Sequence, residues 1–131
     1  MVSRRKPPGK RRAAAGPKRE DRLALDRRAR IVRLIRGLPA GTVSSYGAIA
    51  RAAGWPGAAR QVVRILRQVP GLPWQRVVGS GGAIKLPGEN GAEQRFRLRI
   101  EGVGFRGARV DMKRHEFKFS RGKGRQGKNG S

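Results

Sequence analysis

Apolar side chains recur at helical spacing in the stretch that begins near residue 25. The apolar residues concerned are Ile31, Leu34, Ile35 and Leu38. Because an α-helix has about 3.6 residues per turn, this spacing places them on one face, with arginines at other positions. The pattern predicts an amphipathic helix over roughly residues 25–37, which Pro39 and Gly41 bring to an end.

Two shorter helices are predicted immediately downstream. Ser44 or Ser45 can cap the first, and Gly54 with Pro56 ends it. The second is predicted over residues 57–68, and its inward-facing residues are Ala59, Val62, Val63 and Leu66. Its outward stripe is basic and consists of Arg60, Arg64 and Arg67. A short helix, a tight turn and a second helix with a basic face are typical of a helix-turn-helix.

The remaining pattern predicts a hairpin, a last helix and a short strand. Residues 76–78 and 83–85 are short extended pieces around a glycine-rich turn, as in a wing-like hairpin. A helix over residues 89–102 would face inward through Ala92, Phe96, Ile100 and Val103. A short final strand is predicted at Val110 and Met112. The predicted fold class is therefore mainly α and winged-helix-like, a helix-turn-helix plus a small wing.

The chain is strongly basic, which bears on its partner. It carries 32 Lys and Arg against 8 Asp and Glu, a formal net charge of +24. Such a charge favours a polyanion, and nucleic acid is the first candidate. We expect no membrane partner, because no apolar run approaches the roughly 20 residues of a spanning helix. No apolar stretch follows the basic N-terminus as a secretion signal requires, so we expect a cytoplasmic, nucleoid-associated protein.

Basic residues are concentrated at both ends of the chain. Residues 1–22 combine Lys and Arg with Pro, Gly and Ala, which predicts a disordered arm with almost nothing to bury. Residues 113–131 are predicted to form a flexible basic tail. Residues 23–112 hold both tryptophans and most of the aliphatic residues, so we expect one folded DNA-binding domain there, as a monomer.

The chain contains no cysteine, which excludes disulfides, thiolate nucleophiles and cysteine metal sites. Its single histidine, His115, excludes a multi-histidine metal site and leaves only one position for a Ser-His-Asp arrangement. Because His115 stands between Arg114 and Glu116 near the basic tail, we expect it to be solvated rather than catalytic. No metal and no cofactor are expected.

Three blocks in order along the chain carry a resemblance to a known family. They are Leu-Pro-Ala-Gly-Thr-Val-Ser-Ser-Tyr-Gly-Ala-Ile-Ala, Ala-Ala-Arg-Gln-Val and Leu-Pro-Trp-Gln-Arg-Val-Val-Gly-Ser-Gly-Gly. Together they resemble the DNA-binding domain of the alkylguanine-DNA alkyltransferases over roughly residues 28–105. Active members carry Pro-Cys-His-Arg in the third block, whereas this chain has Pro73-Trp74-Gln75-Arg76. Trp in the acceptor position is typical of alkyltransferase-like proteins, which bind O6-alkylguanine in DNA without removing it.

The substitution is consistent with loss of catalysis. A thiolate can attack an alkyl carbon, but a neutral indole offers only a flat face and one N–H donor. Gln75 stands where the family usually has histidine, so a general base is also missing. We therefore expect a protein that is not an enzyme.

The resemblance implies roles for three residues. Arg60 matches the arginine finger that fills the gap left by a flipped nucleotide, whereas without the resemblance it would be a phosphate-contacting or solvated arginine. Tyr46 matches the tyrosine that promotes rotation of the target nucleotide, and its alternative is an ordinary core aromatic. Trp74 should line the lesion pocket, and its alternative is simple burial.

The resemblance extends to neighbouring residues with less specific roles. Ser45 is predicted at the DNA surface, together with helix residues that contact the backbone or are simply solvated: Gln61, Arg64 and Arg67. The lesion pocket is predicted to include Gln75, Arg76 and Lys85 beside Trp74, with Arg76 mainly structural. Glu101 matches the family's acidic residue and is expected to be a structural acceptor. Trp55 is expected to pack in the interior.

The function implied is non-catalytic recognition of O6-alkylguanine in double-stranded DNA by nucleotide flipping. By the same resemblance, the complex would flag the lesion for damage-recognition proteins of nucleotide excision repair. One alternative is a general architectural or regulatory DNA-binding protein without lesion preference. RNA binding is a further alternative, although the folded part lacks the aromatic spacing of common RNA modules.

Overall fold

The computed structural model of the protein describes residues 18–119, and within them the fold is mainly helical. The helices are α1 (Arg19–Arg36), α2 (Tyr46–Ala52), α3 (Ala59–Gln68), α4 (Gly88–Ile100) and α5 (Met112–His115), with 3₁₀ turns at Trp74–Arg76 and Ser80–Gly82. The strands are β1 (Ser44–Ser45), β2 (Val77–Val78), β3 (Phe105–Arg106) and β4 (Arg109–Val110). Residues 1–17 of the predicted arm and residues 120–131 of the predicted tail lie outside the described residues. None of the helices between residues 18 and 119 is both long and apolar enough to cross a membrane.

Helix α1 begins at Arg19, earlier than the predicted start near residue 25, so residues 19–22 are helical rather than part of the arm. Glu20 and Asp21 lie in its first turn, where carboxylates are favoured by the helix dipole. The predicted inward face is confirmed, since Ile31 and Ile35 are buried. These two side chains form part of the larger core cluster.

The predicted helix-turn-helix is confirmed in helices α2 and α3. The Ser45 side chain caps α2 by accepting a hydrogen bond of 3.1 Å from the backbone N–H of Ala48. Helix α3 buries Val62 and Ile65 against the core cluster, although Ile65 is not among the residues predicted to face inward. Trp55 packs against the same cluster, as expected.

The predicted hairpin between residues 76–78 and 83–85 is wrong as a strand pair. Strand β2 instead pairs in parallel with β1, with Ser44 opposite Val77 and Ser45 opposite Val78. A backbone hydrogen bond of 2.8 Å from Gly79 to Ala83 closes the turn. The antiparallel hairpin of the described residues joins β3 and β4, which includes Val110 as predicted, whereas Met112 begins α5.

The predicted inward face of α4 is wrong, because the helix is rotated about its axis and buries a different set of side chains. Phe96 and Ile100 are exposed, at 60% and 69%, whereas Gln94 and Leu98 are buried. Leu98 packs in a second core cluster with strand residues and Val103. Gly91 allows α4 to lie close to the backbone of Leu86, because a Cβ at position 91 would overlap the Leu86 carbonyl oxygen.

Residues 113–119 are folded, in contrast to the flexible tail predicted from residue 113. Phe117 and Phe119 pack against the larger core cluster, and the Phe117 N–H donates to the Val43 carbonyl at 2.8 Å. His115 is partly buried rather than solvated. Its Nε2 accepts from the Gly104 N–H at 2.9 Å while Nδ1 lies 3.2 Å from the Gly41 carbonyl, an arrangement that requires the proton on Nδ1.

Candidate nucleic-acid interface and base pocket

The outward face of helix α3 is basic, as the sequence predicted. Arg60, Arg64 and Arg67 line this face, and Gln61 is half-buried beside them. Residues seven positions apart lie on the same side of a helix, separated by about 10 Å along its axis. Arg60 and Arg67 therefore mark the two ends of one basic stripe. Their contacts with DNA stay predictions.

A cavity of about 220 Å³ opens at one end of this stripe. Its walls come from α2, α3, the turn at Trp74–Arg76 and α4. The lining residues are Tyr46, Val63, Leu66, Arg67, Trp74, Val77, Leu86, Asn90 and Gln94. Two of the predicted recognition residues, Tyr46 and Trp74, thus share one cavity although they are distant in sequence. The lining combines an aromatic and aliphatic wall with a few polar groups, as small-ligand sites do.

Tyr46 begins helix α2 directly after the capping residue Ser45 and is half-buried. Burial raises the pKa of its hydroxyl above the ordinary value of 10.0, and the positive charge of Arg67 opposes that rise only in part. The hydroxyl therefore keeps its proton at neutral pH. It can donate a hydrogen bond to a ligand in the cavity that Tyr46 lines.

Trp74 forms a wall between this cavity and a shallower groove. The groove is lined by Arg36, Gly71, Leu72, Pro73, Trp74, Gln75, Arg76 and Arg97. The guanidinium of Arg97 lies over the Trp74 ring, 5.4 Å from its centroid, and its Nε donates to Glu93 at 2.7 Å. A cation over an aromatic face is attractive, so Arg97 helps hold the indole in place.

Gln75 and Arg76 do not line this cavity, but both line the groove on the other side of Trp74, so their place in a lesion pocket stays a prediction. The Gln75 amide donates to a Glu101 carboxylate oxygen at 2.8 Å. The Arg76 guanidinium donates to the same carboxylate at 2.8–3.2 Å and to the Leu38 carbonyl at 2.8 Å. Both side chains thus serve to join the turn after Trp74 to the end of α4. The expected structural roles of Arg76 and Glu101 are consistent with these contacts.

The charge of Glu101 is stabilised by this network. Burial by itself would raise the pKa of the carboxyl group. Hydrogen bonds from Arg76 and Gln75, the Arg76 charge and the backbone N–H of Gly41 together outweigh burial, and they lower the pKa below the ordinary value of 4.5. At neutral pH the carboxylate is therefore an ionised structural acceptor.

Lys85 is also absent from the cavity lining. Its side chain lies against Gly79, where an added Cβ would come within 2.7 Å of the Lys85 Cγ. The closed turn at residues 79–83 brings these two residues together. The predicted pocket role of Lys85 is thus not supported by its position.

Most of the far wall of the cavity is not predicted by the sequence pattern. Leu86, Asn90 and Gln94 lie on α4 or just before it, and Gln94 is 1% exposed. A lone glutamine in the middle of a helix carries no motif. The signal that could have found it is spacing, because Asn90, Gln94 and Leu98 recur every four residues on one side of the helix.

The chemistry available at the cavity is that of binding. The side chains around it supply a hydroxyl, an indole, a guanidinium and two amides, and the chain has no cysteine. Within residues 18–119 no group of three or more Asp, Glu or His residues could hold a metal ion. A planar ligand could stack on the indole and hydrogen-bond with the polar groups.

Comparisons with known proteins find similarity over most of the described residues. Residues 26–103 match the family model for the DNA-binding domain of 6-O-methylguanine DNA methyltransferase. The chain is 38% identical over 94 residues to a DNA base-flipping protein of Escherichia coli, covering 69% of this chain and 73% of that protein. It is 40% identical over 70 residues to alkyltransferase-like protein 1 of Schizosaccharomyces pombe, covering 51% of this chain and 65% of that protein.

A solved structure adds a three-dimensional likeness. The crystal structure of S. pombe Atl1 in complex with damaged DNA containing O6-carboxymethylguanine superimposes with a TM-score of 0.60 at 30% identity. The match covers 77% of this chain and 99% of that one. The likeness therefore extends over most of the folded part of the chain.

Proposed function

We propose that this chain binds O6-alkylguanine in double-stranded DNA without repairing it. The premise is that the chain belongs to the 6-O-methylguanine DNA methyltransferase DNA-binding family, as an alkyltransferase-like member. The target nucleotide rotates out of the helix and its base enters the cavity beside Trp74. The basic stripe of α3 holds the DNA backbone while the base is out. In this proposal the chain recognises damage and performs no chemistry on it.

The observation that carries the proposal is the cavity shared by Tyr46 and Trp74 at one end of the α3 stripe. Flipping a base costs a few kcal/mol in lost stacking and pairing. Contact with an aromatic face returns about 1–3 kcal/mol per base. Arg60, on the same side of α3 as the cavity-lining Arg67, is suited to fill the gap that the base leaves.

The absence of alkyl transfer in this proposal follows from the composition of the chain. A transferase of this family needs a thiolate acceptor, and no cysteine is present at position 74 or anywhere else. The names of the matched relatives, a base-flipping protein and an alkyltransferase-like protein, support binding rather than transfer. The S. pombe complex with O6-carboxymethylguanine DNA supports damaged DNA as the partner.

The consequence of binding is a second part of the proposal. A stable complex on the lesion would recruit damage-recognition proteins of nucleotide excision repair, in the cytoplasm and at the nucleoid. This step rests on the family resemblance alone. It is tested by adding purified excision-repair damage-recognition proteins to the lesion complex and measuring whether a ternary complex forms.

The deciding experiment measures the affinity of the full chain for two duplexes that differ only in one O6-methylguanine, at two salt concentrations. Both affinities should fall with salt, while their ratio should stay nearly constant, because the phosphate contacts are common to both duplexes. Trp74→Ala should lower the ratio about fivefold or more, since base–aromatic contact is worth about 1–3 kcal/mol. Trp55→Phe, in the interior away from the cavity, is the matched control.

Equal affinity of the wild-type chain for both duplexes would instead favour a general DNA-binding protein. Loss of O6-methylguanine from the DNA, followed with a radiolabelled methyl group, would show transfer and contradict the proposal. Equal loss of affinity for both duplexes in Trp74→Ala would contradict the pocket role of Trp74.

A further inference from the structure

We infer that Gln94 is a specificity residue that accepts a hydrogen bond from the 2-amino group of the flipped base. The inference rests on the proposed function and names the part of the purine that the cavity reads. It concerns a residue that the family motifs of the sequence did not single out.

The amide of Gln94 is held in one orientation. Its Nε2 donates to the backbone carbonyls of Gln75 at 3.1 Å and Val77 at 2.9 Å. Reversing the amide would set its oxygen against two carbonyl oxygens, which have no hydrogen to donate. The nitrogen therefore faces the backbone, and the position of the oxygen is determined by that.

The oxygen of this amide is a buried acceptor with no partner. Gln94 is 1% exposed, and no group among residues 18–119 donates a hydrogen bond to its Oε1. Buried polar atoms in native proteins are paired in the great majority, so an orphaned acceptor calls for an explanation. Because Gln94 also lines the cavity with Tyr46 and Trp74, a ligand there is the natural source of the missing donor.

The chemistry of the lesion identifies that donor. Alkylation at O6 leaves N1 of guanine without its proton, so N1, N3 and N7 are all acceptors. The exocyclic 2-amino group is then the one N–H donor left on the base. In the inferred complex, Gln94 Oε1 therefore accepts from an O6-alkylated purine that has a 2-amino group, and it finds no donor on one that lacks this group.

The test compares duplexes with O6-methylguanine and O6-methylhypoxanthine, which differ only in the 2-amino group. Each is bound by the wild-type chain and by Gln94→Lys, because lysine can still donate to the two carbonyls but has no acceptor. The two bases pair with different strength, so they cost different amounts to flip. That difference is common to both proteins and cancels when the two affinity ratios are divided.

The ratio of the affinity for O6-methylguanine DNA to that for O6-methylhypoxanthine DNA should be higher in the wild-type chain than in Gln94→Lys. The difference should be about three- to tenfold, the range for one net hydrogen bond. Equal ratios in both proteins, with O6-methylguanine still preferred over guanine, would overturn the role of Gln94 and leave the proposed function standing. A wild-type chain that does not distinguish O6-methylguanine from guanine would overturn the proposed function itself.

A second measurement needs no variant. The side-chain carbonyl ¹³C signal of Gln94 should move on binding the O6-methylguanine duplex and should move differently with the O6-methylhypoxanthine duplex. The backbone amide signals of α3 should shift equally with both duplexes and provide the internal control. Identical Gln94 signals in the two complexes would contradict the inference even if Gln94→Lys does not fold.

Discussion

The Arg97 guanidinium lies 5.4 Å from the centroid of the Trp74 ring. Arg97 is on α4, the helix that also supplies Gln94 to the cavity wall. Trp74 therefore has the cavity and a cation as neighbours. The same helix repeats the geometry away from the cavity, where Arg99 lies 5.2 Å from the Phe105 ring. Helix α4 thus provides two comparable cation–aromatic pairs, of which one adjoins the cavity.

Arg97→Gln should lower the preference for O6-methylguanine over guanine about two- to fivefold, because one exposed cation–aromatic contact is worth about 0.5–1 kcal/mol. Affinities for both duplexes are measured by titration. Arg99→Gln removes the same charge from the same helix and should leave the preference unchanged. If both variants change the preference equally, Arg97 acts through charge alone.

Two arginines of α3 should differ in what they contribute. Arg60→Ala should reduce the lesion preference, because the gap left by the flipped base is no longer filled. Arg64→Ala should weaken binding to damaged and intact duplexes equally and reduce the salt slope by about one. A fluorescent base opposite the lesion should report less unstacking with Arg60→Ala than with Arg64→Ala. Matching behaviour of the two variants would rule out a finger role for Arg60.

Glu101→Gln should change how stability depends on pH. The pKa of Glu101 is lowered in the folded chain, so its stabilisation is present above the ordinary value of 4.5 and is lost as the pH falls through the lower folded value. At pH 7 the free energy of unfolding of the variant should be lower by about 1.5–3 kcal/mol, the range for hydrogen bonds to a charged group. Urea unfolding at pH 7 and at acidic pH should show the difference between the proteins shrinking at acidic pH. A constant difference would mean that the Glu101 charge contributes nothing.

Phe117→Ala should destabilise the fold, because this side chain packs on the larger core cluster. For a half-buried aromatic we expect a loss of about 2 kcal/mol, below the range for a fully buried one. Lys118→Ala, at the exposed neighbouring position, should change stability by less than about 0.5 kcal/mol. Thermal unfolding of both variants checks this. No difference between them would mean that residues beyond 116 add nothing to the core.

Local patterns predicted much of the chain. Helical spacing located α1 and the helix-turn-helix, and the three motif blocks predicted recognition roles for Tyr46, Arg60 and Trp74, of which Tyr46 and Trp74 line one cavity. These features depend on residues that are close together in the chain, so they can be predicted from periodicity and motif spacing. The same reasoning predicted the wrong side of α4, because Phe96 and Ile100 form an apolar stripe of their own.

The sequence by itself determined the basic surface, the lack of a thiolate and the identity of Trp74 at the acceptor position, because these depend only on which residues are present and in what order. Tertiary structure alone decided that Gln75 and Arg76 turn to Glu101 and that Gln94 enters the cavity wall. Each of those choices depends on partners 17 to 26 residues away in the chain. Which polar groups are paired and which are left for a ligand is known only once the distant segments have come together.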